Sequence, residues 1–419
     1  MNYKLSYMLK NISYIILLLL TLFVSHQAFS QDNRIIIDVN FPGGNVIVEE
    51  NENISTLYYE VSGDTVLVRP DLRDTEGNWF YWYFRVTGAA GETLHFQFPG
   101  RHVSSFGPAY LSNKNDSWQW LYDELYDSHD HFTYTFGPDE NEVKFSSTIP
   151  YVQKNFEEFI STHTGNPYLS IGTLTTSEKG RDVEKLSIRN SSHDSKYKVL
   201  ITARHHANEA MASYALEGLI SSVLDGEDIS MQWLRENVEF LIVPFMDKDG
   251  VQDGDQGKNR RPYDHNRDYS GESIYNSVAA LREKVTDWSN GKLKVHFDLH
   301  NPGLSGDWHE HIYFVGARDQ ILANEQEKYV NILINRNSGE LTLNSERAIL
   351  NPGTAWYSLE PPSEGLSSRG WTSTFDEIAL AITLELPFAN NDGQIVTPYN
   401  AELFGKDMAD ALSIYLQEL

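Results

Sequence analysis

Two adjacent histidines followed by a glutamate form the first group of residues that could do chemistry. They stand in the stretch ARHHANEA, residues 203–210, between an apolar run and a segment with helical periodicity. His205 is four residues before Glu209 and His206 is three before it, so either histidine could share a helix face with the carboxylate. Imidazole and carboxylate groups are common zinc ligands. The spacing therefore predicts a pair of metal ligands but does not choose between the histidines.

Three further stretches carry ionisable side chains directly after, or at the end of, apolar runs that look like strands. In a sheet of parallel strands, ligands bind beyond the carboxyl ends of the strands. We therefore expect these stretches to lie near ARHHANEA in the fold. They are PFMDKDG continuing to HNRDY, FDLHNPG and ITLELPF, which supply Arg260, Arg261, Asn266, Arg267, His300 and Glu385.

The residue types in these stretches suit a hydrolytic zinc centre. Such a centre needs three protein ligands, one open position for water and a separate carboxylate that takes a proton from that water. Glu385 stands in the otherwise apolar run ALAITLELPF, and a buried carboxylate is rare without a partner or a function. Arginines beside the centre could bind a substrate carboxylate through two parallel hydrogen bonds.

Each of these motifs alone has a simpler interpretation. His-x-x-Glu is short enough to occur by chance, and here it could be a surface pair at a helix start. His300 alone could be an ordinary histidine at a strand end, and Glu385 alone could belong to an ion pair. Only their joint occurrence at strand ends favours the zinc site.

The elements that must position these residues divide the chain into two parts. Residues 31–148 contain short runs such as RIIIDV, TVLVRP and TLHFQFPG, rich in β-branched and aromatic residues and separated by Gly, Asn, Asp and Pro. This pattern predicts an antiparallel β-sandwich. Residues 149–419 alternate apolar strand-like runs with segments of helical periodicity, which predicts an α/β domain whose largely parallel sheet has helices on both faces.

The first 30 residues have the pattern of a secretory signal peptide. Lys4 and Lys10 precede an apolar run from Ile12 to Val24, and Ala28 and Ser30 occupy the small positions of a cleavage site. The alternative is a membrane anchor, but the run has only about 13 residues and a membrane span needs about 20. The sequence thus predicts cleavage after Ser30 and a secreted or periplasmic protein. It has no cysteine, so an exported protein would need a large core instead of disulfides.

The charge of the chain limits its partners. The formal net charge is −26, which argues against nucleic acid and anionic membranes because both require a basic surface. After cleavage of the predicted signal peptide, no apolar stretch is long enough for a stable membrane span. The sequence gives no indication of the oligomeric state.

Taken in order, the motifs resemble those of the zinc metallocarboxypeptidases of the funnelin family. HHANE resembles the family's His-x-x-Glu motif, DLH its third-ligand strand, DHNRDY its carboxylate clamp and AITLE the strand of its general base. SEKGRDVEKLSI, residues 177–188, resembles the strand pair that opens the family's catalytic domain. FPGGNV, NWFYWYFRVTG and STIPY resemble the β-sandwich of the cytosolic carboxypeptidases. The resemblance therefore covers nearly all of the chain after residue 30.

The resemblance implies a function and a role for each candidate residue. It implies hydrolysis of C-terminal residues from peptides or proteins with one zinc ion per chain. It selects His206 over His205, and since successive residues leaving a strand point to opposite sides, His205 would pack behind the site. The implied zinc ligands are His206, Glu209 and His300; Asp264 would hold the first zinc histidine, Asn266 and Arg267 would bind the terminal carboxylate, Arg260 or its competitor Arg261 would polarise the scissile carbonyl, and Glu385 would be the general base.

The region before Glu385 bears on specificity. Arg369 stands in a stretch that lines the specificity pocket in the family, so it would favour an acidic C-terminal residue; the alternative is a solvated loop residue. The stretch GLSSRGWTSTFDE lacks the mobile tyrosine of pancreatic-type members, and Tyr357 is the nearest candidate. Two other functions remain open. They are an amidohydrolase of the aspartoacylase type and a catalytically silent protein that binds peptide tails or glycans.

Overall fold

The computed structural model describes residues 35–51, 54–57, 65–77, 79–98, 100, 102–122, 129–360 and 365–419. The predicted signal peptide, residues 1–30, lies outside the described residues. None of the helices within these ranges is both long enough and apolar enough to cross a membrane.

The described residues between 35 and 146 form ten short strands. In the strand that contains Leu94 and Phe96, these two side chains are buried and the residues between and after them are exposed, the alternation expected when one sheet face packs on a core. The strands are β1 (Ile36–Asp38), β2 (Val48–Asn51), β3 (Ile54–Leu57), β4 (Thr65–Leu67), β5 (Tyr83–Thr87), β6 (Thr93–Gln97), β7 (Ala109–Ser112), β8 (Gln119–Trp120), β9 (His131–Thr135) and β10 (Glu142–Ser146).

These strands build the predicted sandwich. A five-stranded antiparallel sheet has the order β1-β5-β10-β7-β8, and a three-stranded sheet has the order β4-β6-β9. Trp82, Phe84, Phe96, Phe132 and Phe145 form the aromatic core. The antiparallel architecture is confirmed, with one difference: β4 and β6 pair in parallel.

The part of the chain after residue 150 is built around an eight-stranded sheet. Its order is β11-β12-β14-β13-β15-β18-β16-β17, and the four central strands, β14, β13, β15 and β18, run parallel to one another. The strands are β11 (Leu169–Thr176), β12 (Asp182–Ile188), β13 (Tyr197–Ala203), β14 (Val238–Val243), β15 (Leu293–His300), β16 (Tyr313–Val315), β17 (Ile349–Leu350) and β18 (Leu380–Glu385), followed by the short pair β19 (Asn390–Asn391) and β20 (Gln394–Ile395).

Helices cover both faces of this sheet. In β13, Val199 and Ile201 face one hydrophobic core while Leu200 faces another, which explains why the middle of the strand is continuously apolar. The α/β architecture predicted from the sequence is therefore confirmed. The helices are α1 (Gln153–Thr162), α2 (Met211–Asp225), α3 (Ile229–Asn237), α4 (Lys248–Asp253), α5 (Asn276–Ser289), α6 (Gln320–Arg336), α7 (Ser368–Thr372) and α8 (Pro398–Gln417).

Two glycines let α2 and α8 pack backbone against backbone. A Cβ atom on Gly218 would lie 1.9 Å from the carbonyl oxygen of Glu402, and one on Gly405 would lie 1.8 Å from that of Ala215. No side chain fits at either position. The close packing fixes α2, which begins directly after the ARHHANEA stretch and so holds one end of that stretch in place.

Candidate metal centre and active site

The candidate residues meet at the carboxyl edge of the central sheet. Strands β13, β15 and β18 are parallel neighbours, so their last residues reach the same edge. Ala203 pairs in register with Leu299, and His300 pairs with Glu385. The stretches that follow β13, end β15 and end β18 are therefore brought together, as the sequence predicted from the strand pattern.

His206, Glu209 and His300 form a compact group whose ligand atoms all lie within 4.8 Å of one another. The Nδ1 atom of His206 lies 2.7 Å from Oε1 of Glu209, and Nδ1 of His300 lies 2.7 Å from Oε2 of the same carboxylate. All three residues are buried. Although burial opposes its charged form, the two imidazoles hold the pKa of Glu209 below its usual range. Two imidazole nitrogens and an ionised carboxylate are the donor set of a catalytic zinc, so these residues fit the metal.

A second group within metal-binding distance consists of His205, Asp298 and His300. His205 is fully buried; its Nδ1 atom lies 2.8 Å from Oδ1 of Asp298, and its Nε2 atom lies 2.7 Å from the hydroxyl of Tyr269. The other oxygen of Asp298 lies 3.0 Å from Nε2 of His300. This group has no open side, whereas a catalytic zinc needs one. Its arrangement suits a carboxylate that orients a ligand histidine from behind.

Arg204 shapes the turn that presents His206, and the sequence analysis missed it. Its φ of 59° is in the left-handed region, which is uncommon for a residue with a side chain. The buried guanidinium donates to the carbonyl oxygens of Ala207, at 3.1 Å, and Tyr151, at 2.8 Å. It thereby closes the loop between β13 and α2. The signal in the sequence is an arginine directly after a largely apolar strand.

Asp264 lies near Nε2 of His206, the ring nitrogen that points away from Glu209. Its Oδ1 atom is 3.7 Å from Nε2 of His206, within ion-pair distance but longer than a hydrogen bond. The carboxylate also accepts the backbone N–H groups of Asn266 and Asn259, each at 3.0 Å. Asp264 thus caps the short 3-10 helix His265–Arg267, which carries the two residues predicted to bind the substrate carboxylate.

A cavity of about 340 Å³ opens onto the metal group. The structure brings most of the predicted site residues to its wall. Those residues are His206, His300, Asn266, Arg267, Arg369 and Glu385.

Glu385 is buried at the end of β18, opposite His300. Burial, assisted by the nearby charge of Glu209, raises the pKa of Glu385 to about 7. A carboxylate with a pKa near neutrality is a more effective base than an ordinary one. The position and the chemistry both suit a group that accepts a proton inside the cavity.

Asn266 and Arg267 both line the cavity, but they differ in how many of their side-chain polar atoms already have hydrogen-bond partners. The side chain of Asn266 is already engaged, since its Oδ1 accepts the N–H of Ser368 at 2.8 Å and its Nδ2 lies 3.1 Å from Nε2 of His300. Arg267 donates one hydrogen bond, to the carbonyl oxygen of Asn266 at 2.8 Å. Within the described ranges no carboxylate forms an ion pair with Arg267. Its guanidinium is therefore the better placed of the two to bind an anion.

Arg369 lies in α7 and is not a solvated loop residue. Its guanidinium donates to the carbonyl oxygens of Val315 and Gly316, at 2.6 and 3.1 Å, and to the hydroxyl of Tyr357 at 3.3 Å. These contacts hold the charge at the cavity wall, beside the tyrosine that the sequence left as a candidate. Among the described residues, no carboxylate pairs with Arg369.

The structure does not bring Arg260 or Arg261 to the described wall of the cavity. The guanidinium of Arg260 contacts three carboxylates, at 3.1 Å for Asp74, 2.6 Å for Asp247 and 2.7 Å for Asp255. The side chain of Arg261 is 71% exposed and pairs with Glu76. In this arrangement neither arginine belongs to the described cavity wall, where the resemblance expects one of them to polarise a substrate carbonyl.

The fold and the site define a class of protein, a hydrolase with a zinc-binding donor set at the carboxyl edge of a mixed α/β sheet. The family model for zinc carboxypeptidases, Peptidase_M14, matches residues 159–410. The chain therefore belongs to the zinc carboxypeptidase family, and it is a metallocarboxypeptidase enzyme. This confirms the family that the motifs indicated.

Individual relatives extend the likeness to the sandwich. A metallo-carboxypeptidase from Burkholderia cenocepacia covers 92% of this chain and 99% of its own, with a TM-score of 0.73 and 20% identity. A Pseudomonas aeruginosa metallo-carboxypeptidase in complex with (2-guanidinoethylmercapto)succinic acid covers 91% and 99%, with a TM-score of 0.71 and 22% identity. At these identities the likeness establishes the fold of both parts. Mouse cytosolic carboxypeptidase 3 is 26% identical over 57% of this chain, which spans only 26% of that protein's length.

Proposed function

We propose that this protein is an exported carboxypeptidase that removes C-terminal residues from peptides or proteins with one zinc ion per chain. His206, Glu209 and His300 hold the metal. The observation that carries the proposal is the convergence of both Nδ1 atoms on the Glu209 carboxylate, at 2.7 Å each, beside a cavity that also contains Glu385 and Arg267.

The chain's own residues divide the work of hydrolysis. A bound zinc ion would supply Lewis-acid chemistry at the scissile carbonyl. Glu385 takes a proton from the attacking water and then delivers it to the leaving amine, which its pKa of about 7 favours. His205, Asp298 and Asp264 keep the ligand histidines in place from behind.

Arg267 selects a free C-terminus. Its guanidinium lies at the cavity wall and has donors that the Asn266 carbonyl oxygen does not use. A planar guanidinium binds a carboxylate through two parallel hydrogen bonds. This contact distinguishes a carboxypeptidase from an endopeptidase, since an internal peptide bond offers no carboxylate.

Export to the periplasm or the medium completes the proposal. Its support is the sequence pattern of residues 1–30, with two lysines, a short apolar run and small residues at the cleavage position. Mass spectrometry of the secreted or periplasmic protein tests it, and we expect a chain that begins at Gln31. A chain that retains Met1 in the cytoplasm would contradict it.

The activity is tested by digestion of a peptide library with free and amidated C-termini, followed by mass spectrometry. We expect stepwise loss of C-terminal residues from the free peptides only, and no cleavage by the Glu385→Gln variant. Release of acyl groups from acylated amino acids, with intact peptides, would instead indicate an amidohydrolase. Binding of peptide tails or glycans without any cleavage would indicate a silent binding protein.

A further inference from the structure

Lys258 is a cation at the cavity that the motif analysis did not include. It lies on the wall that also contains His206, His300 and Glu385. Within the described ranges, no carboxylate lies within ion-pair distance of its ammonium group; the ring of Trp79, 6.0 Å away, is its aromatic neighbour. Its positive charge favours the ionised forms of both Glu385 and Asp264. A cation in a cavity without a fixed anion is poised to meet a negative charge on a ligand.

The backbone before Lys258 packs directly on the ligand loop. Gly257 has a φ of +85°, and a Cβ atom there would lie 2.1 Å from the backbone nitrogen of Ala207 and 2.9 Å from Cα of His206. The N–H of Asn208 also donates to the carbonyl oxygen of Gln256 at 3.3 Å. Only glycine can make this approach. The contact places the residue directly before Lys258 against the first candidate zinc ligand.

The sandwich holds this segment from the other side. Asp74 accepts the N–H groups of Gln256, at 3.1 Å, and Gly257, at 2.8 Å. The hydroxyl of Thr75 donates to the carbonyl oxygen of Lys258 itself. Residues of the N-terminal part therefore fix the backbone at and directly before Lys258. In this way the sandwich helps to position a residue of the cavity wall.

The neighbouring arginines cannot supply this charge. Arg260 is held by three carboxylates, and Arg261 pairs with Glu76 at the surface. Bringing Arg260 to the cavity would leave buried carboxylates without a partner, which is strongly unfavourable. Of the three cations at positions 258, 260 and 261, Lys258 is the one that lines the cavity.

We propose that Lys258 donates a hydrogen bond to the scissile carbonyl oxygen and stabilises the negative charge that develops there, with its position set by Asp74 and Thr75 of the sandwich. This inference rests on the proposed carboxypeptidase function. In the reaction, water adds to the carbonyl carbon, the oxygen gains charge and Lys258 stays protonated. Preorganised donors aimed at such an oxygen act mainly on the transition state.

The test compares steady-state kinetics of the wild type with Lys258→Met, which keeps the length of the side chain and removes its charge. We expect kcat to fall by about 10²-fold, the scale for one lost donor to a developing oxyanion. KM should change by less than about threefold, because the interaction forms in the transition state. Lys258→Arg should recover part of kcat. Lys154→Met, which removes an exposed lysine on α1, should leave both constants unchanged.

Zinc content and thermal unfolding of each variant show whether a loss of activity reflects a damaged site. An unchanged kcat in Lys258→Met would overturn the inference while leaving the carboxypeptidase activity in place. A raised KM with unchanged kcat would also overturn it, since Lys258 would then bind the substrate carboxylate. A wild-type enzyme that cleaves no peptide would overturn the proposed function itself, and this inference with it.

A second variant tests the role of the sandwich. Asp74→Asn keeps the size of the side chain but weakens its bonds to the segment that carries Lys258. If Asp74 acts through Lys258, it lowers kcat in the wild type and has no further effect in the Lys258→Met background, because the two changes then couple. Additive effects in the double variant would show that Asp74 acts only through Arg260 and the general stability of the interface.

Discussion

The carboxyl edge of the central sheet and the loop of residues 254–261 meet at one cavity, but they are positioned in different ways. At the edge, parallel strands in fixed register deliver His300 and Glu385 as a pair. In the loop, the backbone is held by Asp74 and Thr75 from a distant part of the chain. Groups on strands owe their geometry to the sheet, whereas groups on the loop depend on the contact between the two parts of the molecule.

The two regions also treat charge differently. At the edge, the charged groups lie at or beside the cavity. Two imidazoles stabilise the ionised form of Glu209, and burial raises the pKa of Glu385 to about 7. In the loop, the charge of Arg260 is not available to the cavity, because three carboxylates enclose its guanidinium. Of the loop residues, only Lys258 lines the cavity beside the metal group. Arg260 is closer in sequence than Lys258 to the DHNRDY motif, yet Lys258 lines the cavity. Proximity in sequence to a site motif therefore does not decide which cation lies at the site.

The largest expected effect is the loss of metal from the edge. His206→Ala or His300→Ala should lower zinc affinity by more than ~10²-fold, since even partners behind a ligand are worth about 10- to 100-fold. His205→Ala removes such a partner and should lower zinc affinity by less than either of these two substitutions. Titration with a competing chelator, with metal analysis of the dialysed proteins, measures all three. A greater loss of zinc affinity in His205→Ala would show that His205, and not His206, is the metal ligand. It would also weaken the contrast with the loop.

The next effect separates metal binding from catalysis at the same edge. Glu385→Gln preserves the shape of the side chain but cannot accept a proton from water. We expect zinc content and KM to remain near the wild-type values and turnover to fall by at least ~10²-fold, the usual scale for a lost proton-transfer group. Stopped-time assays on a peptide with a free C-terminus measure it. Near wild-type turnover in the zinc-loaded variant would move the base away from β18.

The sequence was informative about the edge because strand order follows from local patterns. Apolar runs at β13, β15 and β18 predicted a parallel sheet, and polar residues at their ends predicted a shared site. His206, Glu209, His300 and Glu385 do lie together, while their chemical roles stay predictions. The choice of His206 over His205 required the family resemblance, because spacing allows both. Here local pattern and tertiary structure agree, which makes such positions accessible from sequence.

The sequence was uninformative about the loop because its geometry depends on residues about 180 positions away. Arg260 and Lys258 are two residues apart and carry the same charge, so nothing local tells which one faces the cavity. The three aspartates that enclose Arg260 come from separate segments, Asp74 among them from the sandwich. The turn at Arg204 was missed for the same reason, since a left-handed arginine is stabilised only by contacts that the fold creates. Tertiary contacts, and not residue type, decide these positions.

The smallest expected effect concerns specificity at the outer wall of the cavity. Arg369 directs a guanidinium at this wall, held by the carbonyl oxygens of Val315 and Gly316, with no ion pair among the described residues. Hydrogen bonds to a charged group contribute about 1.5–3 kcal/mol, and every 1.4 kcal/mol is tenfold. We therefore expect the wild type to prefer peptides ending in Glu over matched peptides ending in Leu or Lys. Arg369→Ala should lower kcat/KM for the Glu peptide by about 10- to 100-fold and change that for the Leu peptide little.

Arg318 is the matched control for this prediction. It lines the same cavity, but its guanidinium donates to the carbonyl oxygens of Ser358, Leu359 and Glu360 and lies 4.5 Å from the ring centre of Tyr357. With its donors engaged on one side and its face covered by the ring, it should contribute less to an acidic side chain. Arg318→Ala should therefore reduce the preference for Glu less than Arg369→Ala does. The reverse order would assign the specificity to Arg318. A wild-type preference for Leu or Lys would contradict a pocket for acidic side chains, and a preference for Lys most strongly, because two arginines without ion pairs in the described wall would repel a lysine side chain.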